Sequence, residues 1–311
     1  MERKKGSVGE INAILVMMMR KAGLNAEPII LSTRRNGLLH PIYPDADEFN
    51  YLLAGVKLNE NWVMLDASTG RGYPFGMIPV KCLNGSGWIV SYTQAGWVPL
   101  KGYGSAATVT QSTLNLREDG TIDGNMKIST KGYADISRRK ALYLKGKEDY
   151  IESMKEDLPD WKFDSVYFEN EEDIYSSLIA NYKIHNKENI HSEIIYLKPI
   201  IISQYEKNPF EPDEREMPVD FAYQTEERYV MELKIPEGYA VDELPKPAVF
   251  QLPDRAAKYQ FSASRIGNKI SIINILNISG LFYPVEEYES IKKFFELMIE
   301  KQAEQIVIKK I

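Results

Sequence analysis

Apolar side chains at Ile11, Ile14, Leu15, Met18 and Ala22 recur at the i, i+3, i+4, i+7 spacing of one helical face. Val16, Met17 and Met19 widen that stripe until almost the whole helix reads as buried. Ahead of it, Ser7-Val8-Gly9-Glu10 has the form of a capping box, with Ser7 accepting from the Glu10 amide and Glu10 reaching back. Gly23 supplies the C-terminal stop. The period then changes. Residues 26–33 read as a strand, and residues 33–48 as a loop rich in Pro, Gly and Asp. Residues 49–58 and 61–68 are β-rich runs joined at Asn59-Glu60, hence a hairpin. With Leu58 opposite Asn61, Tyr51 opposes Ser68 and Asp66 is its diagonal neighbour on the same face. A loop one step different sets Tyr51 directly against Asp66; in both registers they share a face.

Beyond residue 104 the texture differs. Two strands flank the turn of residues 117–121, whose centre is Asp119-Gly120. Residues 133–161 read as helical, broken near Gly146, and further strands fall at 162–169, 176–185, 192–203, 219–235, 257–265 and 269–279. Residues 203–218 form a polar loop with prolines. Pro284 opens a last helix with Tyr288, Ile291, Phe295 and Met298 on one face. The tail 306–311 reads as an edge strand guarded by its lysines. The pattern predicts an α+β or β-sandwich domain with no catalytic constellation.

Charge sharpens the division. Residues 1–103 carry 11 basic and 8 acidic side chains, leaving 27 and 36 for the remainder, so the chain divides near residue 104 into 1–103 and 104–311. The net charge of −6 gives no footing for nucleic acid. A single cysteine, Cys82, excludes an internal disulfide and a cysteine-rich zinc site, and His40, His185 and His191 are too scattered for a histidine metal site. No apolar run approaches a membrane span, and Glu10 and Asn12 interrupt any signal-peptide core. No cofactor motif is present.

The spacing of the first hundred residues resembles that of the transglutaminase-like (papain-like) superfamily. Its pattern is a glycine, a cysteine at a helix N-terminus, an arginine twelve residues on, F-N-H-x-I on one strand and L-D-[AP]-[TS] on the next. Here the matching residues are Gly6, Val8, Arg20, Phe49 to Leu53, and Leu65 to Ser68. The resemblance puts the nucleophile position on Val8, the general-base position on Tyr51 and the orienting acid on Asp66, with Ser7, Asn50 and Trp62 as cleft neighbours. A valine cannot ionise, and a tyrosine, with a reference pKa of about 10, is a poor base near neutrality. The resemblance therefore implies a partial transglutaminase-like α+β domain without thiol chemistry. Residues 104–311 resemble the β-rich domains of unknown function that accompany such modules in bacterial envelope proteins. A periplasmic or envelope setting and peptide or cell-wall peptide ligands follow from the resemblance alone, with no cofactor and no metal.

The rival reading is a working cysteine protease, amidase or acyltransferase that uses Ser7 or Cys82 as a relocated nucleophile. Against it, Ser7 reads as a cap, Cys82 as a small buried hydrophobe and His40 as a loop residue. The family has helices before the nucleophile helix, so the chain reads as the C-terminal portion of a longer protein. So apolar a first helix calls for a cover, from the second domain or from a second copy in a homodimer.

Overall fold

The computed structural model describes residues 5–70, 72–100, 104–186 and 193–311, so Lys101–Tyr103 at the expected boundary, His191 and the start of the expected strand at 192 lie outside the described residues. The protein is a strand-rich α+β protein with two compact units, Met1–Gly104 and Ser105–Ile311. Among the described residues, no helix is long and apolar enough to cross a membrane.

In the first unit, α1 (Val8–Lys21) precedes β1 (Ala26–Leu31), β2 (Tyr51–Leu58), β3 (Asn61–Leu65), β4 (Ser86–Ile89) and β5 (Gly96–Pro99), in one sheet of order β3-β2-β1-β4-β5. The capping box is formed at both ends: Ser7 N donates to Glu10 Oε2 at 2.6 Å and Glu10 N to Ser7 Oγ at 3.3 Å. At the other end Leu24 N–H reaches Met19 O and Gly23 N–H reaches Arg20 O, a Schellman closure that needs the positive φ of Gly23. The buried row of α1 is Asn12, Val16 and Met19, packed with Ala26, Ala54, Val56 and Val63. This corrects the expected stripe: Met17 is 59% and Met18 64% exposed. A run of apolar residues on all sides carries no rotational phase, and the sheet covers only one row. The hairpin register runs from Leu58↔Asn61 to Ala54↔Leu65. Asn59 adopts the left-handed backbone of its turn, at φ 54°. β3 ends at Leu65, so Asp66 stands just beyond the strand rather than within it.

In the second unit, the chain forms β6 (Ala106–Leu116), β7 (Ile122–Gly132), α2 (Tyr133–Lys145), α3 (Lys147–Asp157), β8 (Trp161–Glu169), β9 (Leu178–Asn186), β10 (Ile194–Leu197) and β11 (Val219–Asp220). It continues through β12 (Thr225–Lys234), β13 (Tyr239–Glu243), β14 (Ala248–Gln251), β15 (Ala257–Ile266), β16 (Lys269–Ile278), β17 (Phe282–Tyr283), α4 (Tyr288–Ala303) and β18 (Ile306–Lys310). Eight strands make the main sheet, β14-β15-β16-β12-β6-β7-β9-β8, in which β12 and β6 run parallel. Its inner side joins Ile291, Phe294, Phe295 and Met298 of α4 in one core. The expected strands at 192–203 and 219–235 are shorter than drawn: β10 stops at Leu197, and the second run is two strands. The tail is not an edge. β18 lies between β10 and β13, so Ile306 and Ile308 are fully buried, while Lys309 and Lys310 end the strand with exposed side chains.

Candidate functional site

The end of the β2–β3 hairpin gathers the polar side chains of the first unit around Asp66. Tyr51 OH donates to Asp66 Oδ2 at 2.7 Å, and Oδ1 accepts from Asn12 Nδ2 at 2.9 Å, Ser68 N at 2.8 Å and Ser68 Oγ at 2.6 Å. Asn12 is committed on every side: its Nδ2 also donates to Leu52 O at 2.8 Å and its Oδ1 accepts from Ala67 N at 2.8 Å. Period-2 alternation along β2 puts Tyr51 on the side of the sheet opposite Ala54 and Val56, which α1 covers. Asp66 therefore straddles the sheet end, with Asn12 of α1 on one oxygen and Tyr51 on the other. Burial, opposed by the Ser68 bond and assisted by Asp66, pushes the Tyr51 phenol well above its ordinary pKa, so it is a donor at any ordinary pH. Tyr73 belongs to the same cluster, raised by burial and then by Asp66 and Cys82.

The remaining candidate residues fall in different places. Val8 opens α1, half-buried and one turn before Asn12 on the same row. The Ser7 hydroxyl is held by the Glu10 amide, and the bond from the Ser7 amide keeps the Glu10 carboxyl below its usual value. Cys82 is fully buried, and burial followed by the Asp66 charge pushes its thiol up to about 12. Its neighbour Lys81 sets its ammonium 4.4 Å from the centre of the Tyr51 ring. Cys82 thus lies near the cluster electrostatically but holds its proton near neutrality. Asn50 ties the start of β2 to Thr33, through Thr33 N at 2.9 Å and Thr33 Oγ1 at 3.0 Å. Trp62 pairs with Lys57 toward the turn of the hairpin, away from the Asp66 end. It is a correction to the expected cleft: same-face alternation is not proximity when the residues stand at opposite ends of a strand pair. His40 is exposed, its Nδ1 accepting from the amides of Ile42 and Tyr43 in its own loop.

Asn12 is the member that pattern reading missed, and Ser68, set opposite Tyr51 by the hairpin register, was given no bond to Asp66. The available signal was Asn12 itself, an amide inside an apolar helical run. Among the described residues, no group of three or more His, Cys, Asp or Glu side chains is placed to hold a metal ion.

With the geometry in hand, comparisons place the chain among known proteins. The model of a domain of unknown function, DUF3858, matches residues 193–308, within the second unit. Among solved structures, the chain is similar to one described as a "putative protease" from Parabacteroides distasonis. That likeness has a TM-score of 0.51 at 11% identity and covers 96% of this chain and 43% of that one. The chain thus spans less than half the length of that structure, and the likeness speaks for the fold. No curated protein matches the chain in sequence.

Proposed function

We propose that residues 1–103 are a transglutaminase-like module whose triad positions, Val8, Tyr51 and Asp66, form a non-catalytic pseudo-site, and that the protein binds or scaffolds peptide ligands. The observation that carries this reading is the engagement of both Asp66 oxygens by neutral donors. Its Oδ1 accepts from Asn12 and twice from Ser68, and its Oδ2 accepts from the Tyr51 phenol, so the oxygen available to orient an imidazole is engaged by a tyrosine that keeps its proton. The carboxylate then serves as a brace joining α1 to the hairpin end. The fold-level likeness to a "putative protease" supports the module's ancestry without assigning it a reaction. The rival reading needs a thiolate at Cys82 or a free hydroxyl at Ser7. A thiol pushed up to about 12 and a hydroxyl committed to a helix cap meet neither need.

The test is turnover. Thiol-dependent amidase and transamidase assays are expected to give none, with Cys82→Ser indistinguishable from the parent protein. Short peptides should instead shift the amide resonances of Ala67 and Ser68. Turnover that disappears in Cys82→Ser overturns the pseudo-site.

A further inference from the structure

The inner side of the large sheet in the second unit is apolar except around one carboxyl group. On β12, alternation sends Thr225, Glu227, Tyr229, Met231 and Leu233 to that side, and all but Glu227 are buried outright. Glu227 stands beside Thr108 of β6 and Leu276 of β16. The residue as a whole is half-buried, yet its Oε1 is shut away from solvent and has no hydrogen-bond partner. One row on, Asn274, opposite Tyr229, leaves its buried Oδ1 equally unpartnered.

What covers this polar island is the segment 200–206. Ile201 N donates to the Tyr229 hydroxyl at 3.3 Å, and Ser203 Oγ donates to Gln302 Oε1 of α4 at 2.9 Å. The Tyr205 phenol is raised by burial and then by the charges of Glu227 and Tyr223, and its ring rests on Phe295, 4.9 Å between centroids. Among the described residues, the Tyr205 phenol of the covering segment feels the Glu227 charge and that of Tyr223, Tyr229 stands next but one on the same strand, and α2, packed on β6, carries Arg138 with its Nη1 buried and unpartnered. Thr108, Leu276 and Asn274 from the flanking strands do not titrate, and no charged neighbour contributes to its shift. The same segment supplies Ile200, Ile201, Ser203, Tyr205 and Glu206 to the wall of a cavity of about 680 Å³, completed by residues such as Trp161 and Gln302.

We propose that Glu227 is a proton-operated latch on segment 200–206, neutral while the segment is seated and ionised when it lifts from the sheet and opens the cavity wall. A neutral carboxyl is tolerated in this setting. A carboxylate there has no cation and no hydrogen-bond donor on Oε1, so it recruits water beneath Tyr205, where Asn274 Oδ1 offers that water an acceptor. Burial alone lifts the carboxyl from 4.5 to about 7. The folded unit with its segment seated therefore binds more protons than the opened one between these values. The seated state is favoured below the lower value, loses ground as pH rises through the interval, and levels off above about 7. The latch is separate from the Asp66 site and stands or falls without it.

The experiment uses the full chain. Glutamate carboxyl carbon NMR is expected to find one group titrating near neutrality, absent in Glu227→Gln. Hydrogen exchange corrected for intrinsic rates is expected to lose about 70-fold in protection over 200–206 between pH 5 and pH 8, the change that a rise from 4.5 to about 7 implies. Glu227→Gln, a neutral mimic of similar shape, should hold the segment protected at both. A Glu227 midpoint in the usual carboxylate range overturns the latch. So does pH-independent protection in the parent protein, or a loss that persists in Glu227→Gln. Should that variant fail to fold, the parent's own titration and exchange decide the matter.

Discussion

Each unit holds an aspartate that accepts several hydrogen bonds, and the two differ in what balances the charge. Asp66 in the first unit is held by neutral donors alone: the Asn12 amide, the Ser68 amide and hydroxyl, and the Tyr51 phenol. Asp135 in the second accepts from Leu178 N at 2.8 Å, Thr130 Oγ1 at 3.1 Å and Arg139 Nε at 2.6 Å. Arg139 then spends its other N–H groups on the carbonyls of Asn170, Glu171, Asp173 and Ser176. Both side chains of that pair are 7% exposed. The second arrangement is a closed structural cage, with one donor of the buried cation on Asp135 and the other four used to fold one loop. The first is a carboxylate at a sheet end held without a cation, at the place the proposed pseudo-site gives to its acid. The contrast separates a carboxylate neutralised by a buried cation from one held by neutral donors alone.

That contrast can be broken at three points. Arg139→Ala is expected to have the largest effect, about 3–5 kcal/mol, because it strands a buried carboxylate and frees four loop carbonyls. Hydrogen exchange at Ser176 and Leu178 reads it directly, and a loss below about 1 kcal/mol would show that the cage is ornamental. Asp66→Ala comes next, at about 2–3 kcal/mol, since the Asn12, Ser68 and Tyr51 donors lose their acceptor in a part-buried place. Its signature is lost protection at Ala67 and Ser68 in a denaturant series; an unchanged midpoint would deny Asp66 its bracing role. Tyr51→Phe is the mildest, about 1 kcal/mol, because Asp66 keeps its bonds from Asn12 and Ser68. If Tyr51→Phe proved costlier than Asp66→Ala, the phenol rather than the carboxylate would be the centre of the cluster.

Much of the first unit could be read from local rules. The capping box of Ser7 and Glu10, the Gly23 stop and the hairpin at Asn59 depend on residues a few positions apart. Helix caps and tight turns are decided at that range. The meeting of Tyr51 and Asp66 was legible for a related reason: once the two-residue turn sets the register, alternation does the rest. Asn12 was not, because helical spacing tells which residues share a row but not which row meets the sheet. The short strands β4, β5, β13 and β14 also escaped, since four or five residues interrupted or preceded by Gly or Pro carry too little period.

The sequence by itself determined the places where the chain turns, caps and alternates, the uneven charge of its two parts, and the absence of an ionisable side chain at Val8. These are properties of neighbouring residues, and they persist whatever the chain packs against. Only the tertiary structure decided that α1 buries Asn12 and leaves Met17 and Met18 in solvent. It also decided that β18 is flanked on both sides by strands, and that Thr108 lies beside Glu227 across a parallel pair far apart in the chain. Strand order and burial are set by contacts of long sequence separation, which compete for the same apolar surface and leave no periodic trace in the residues that win it.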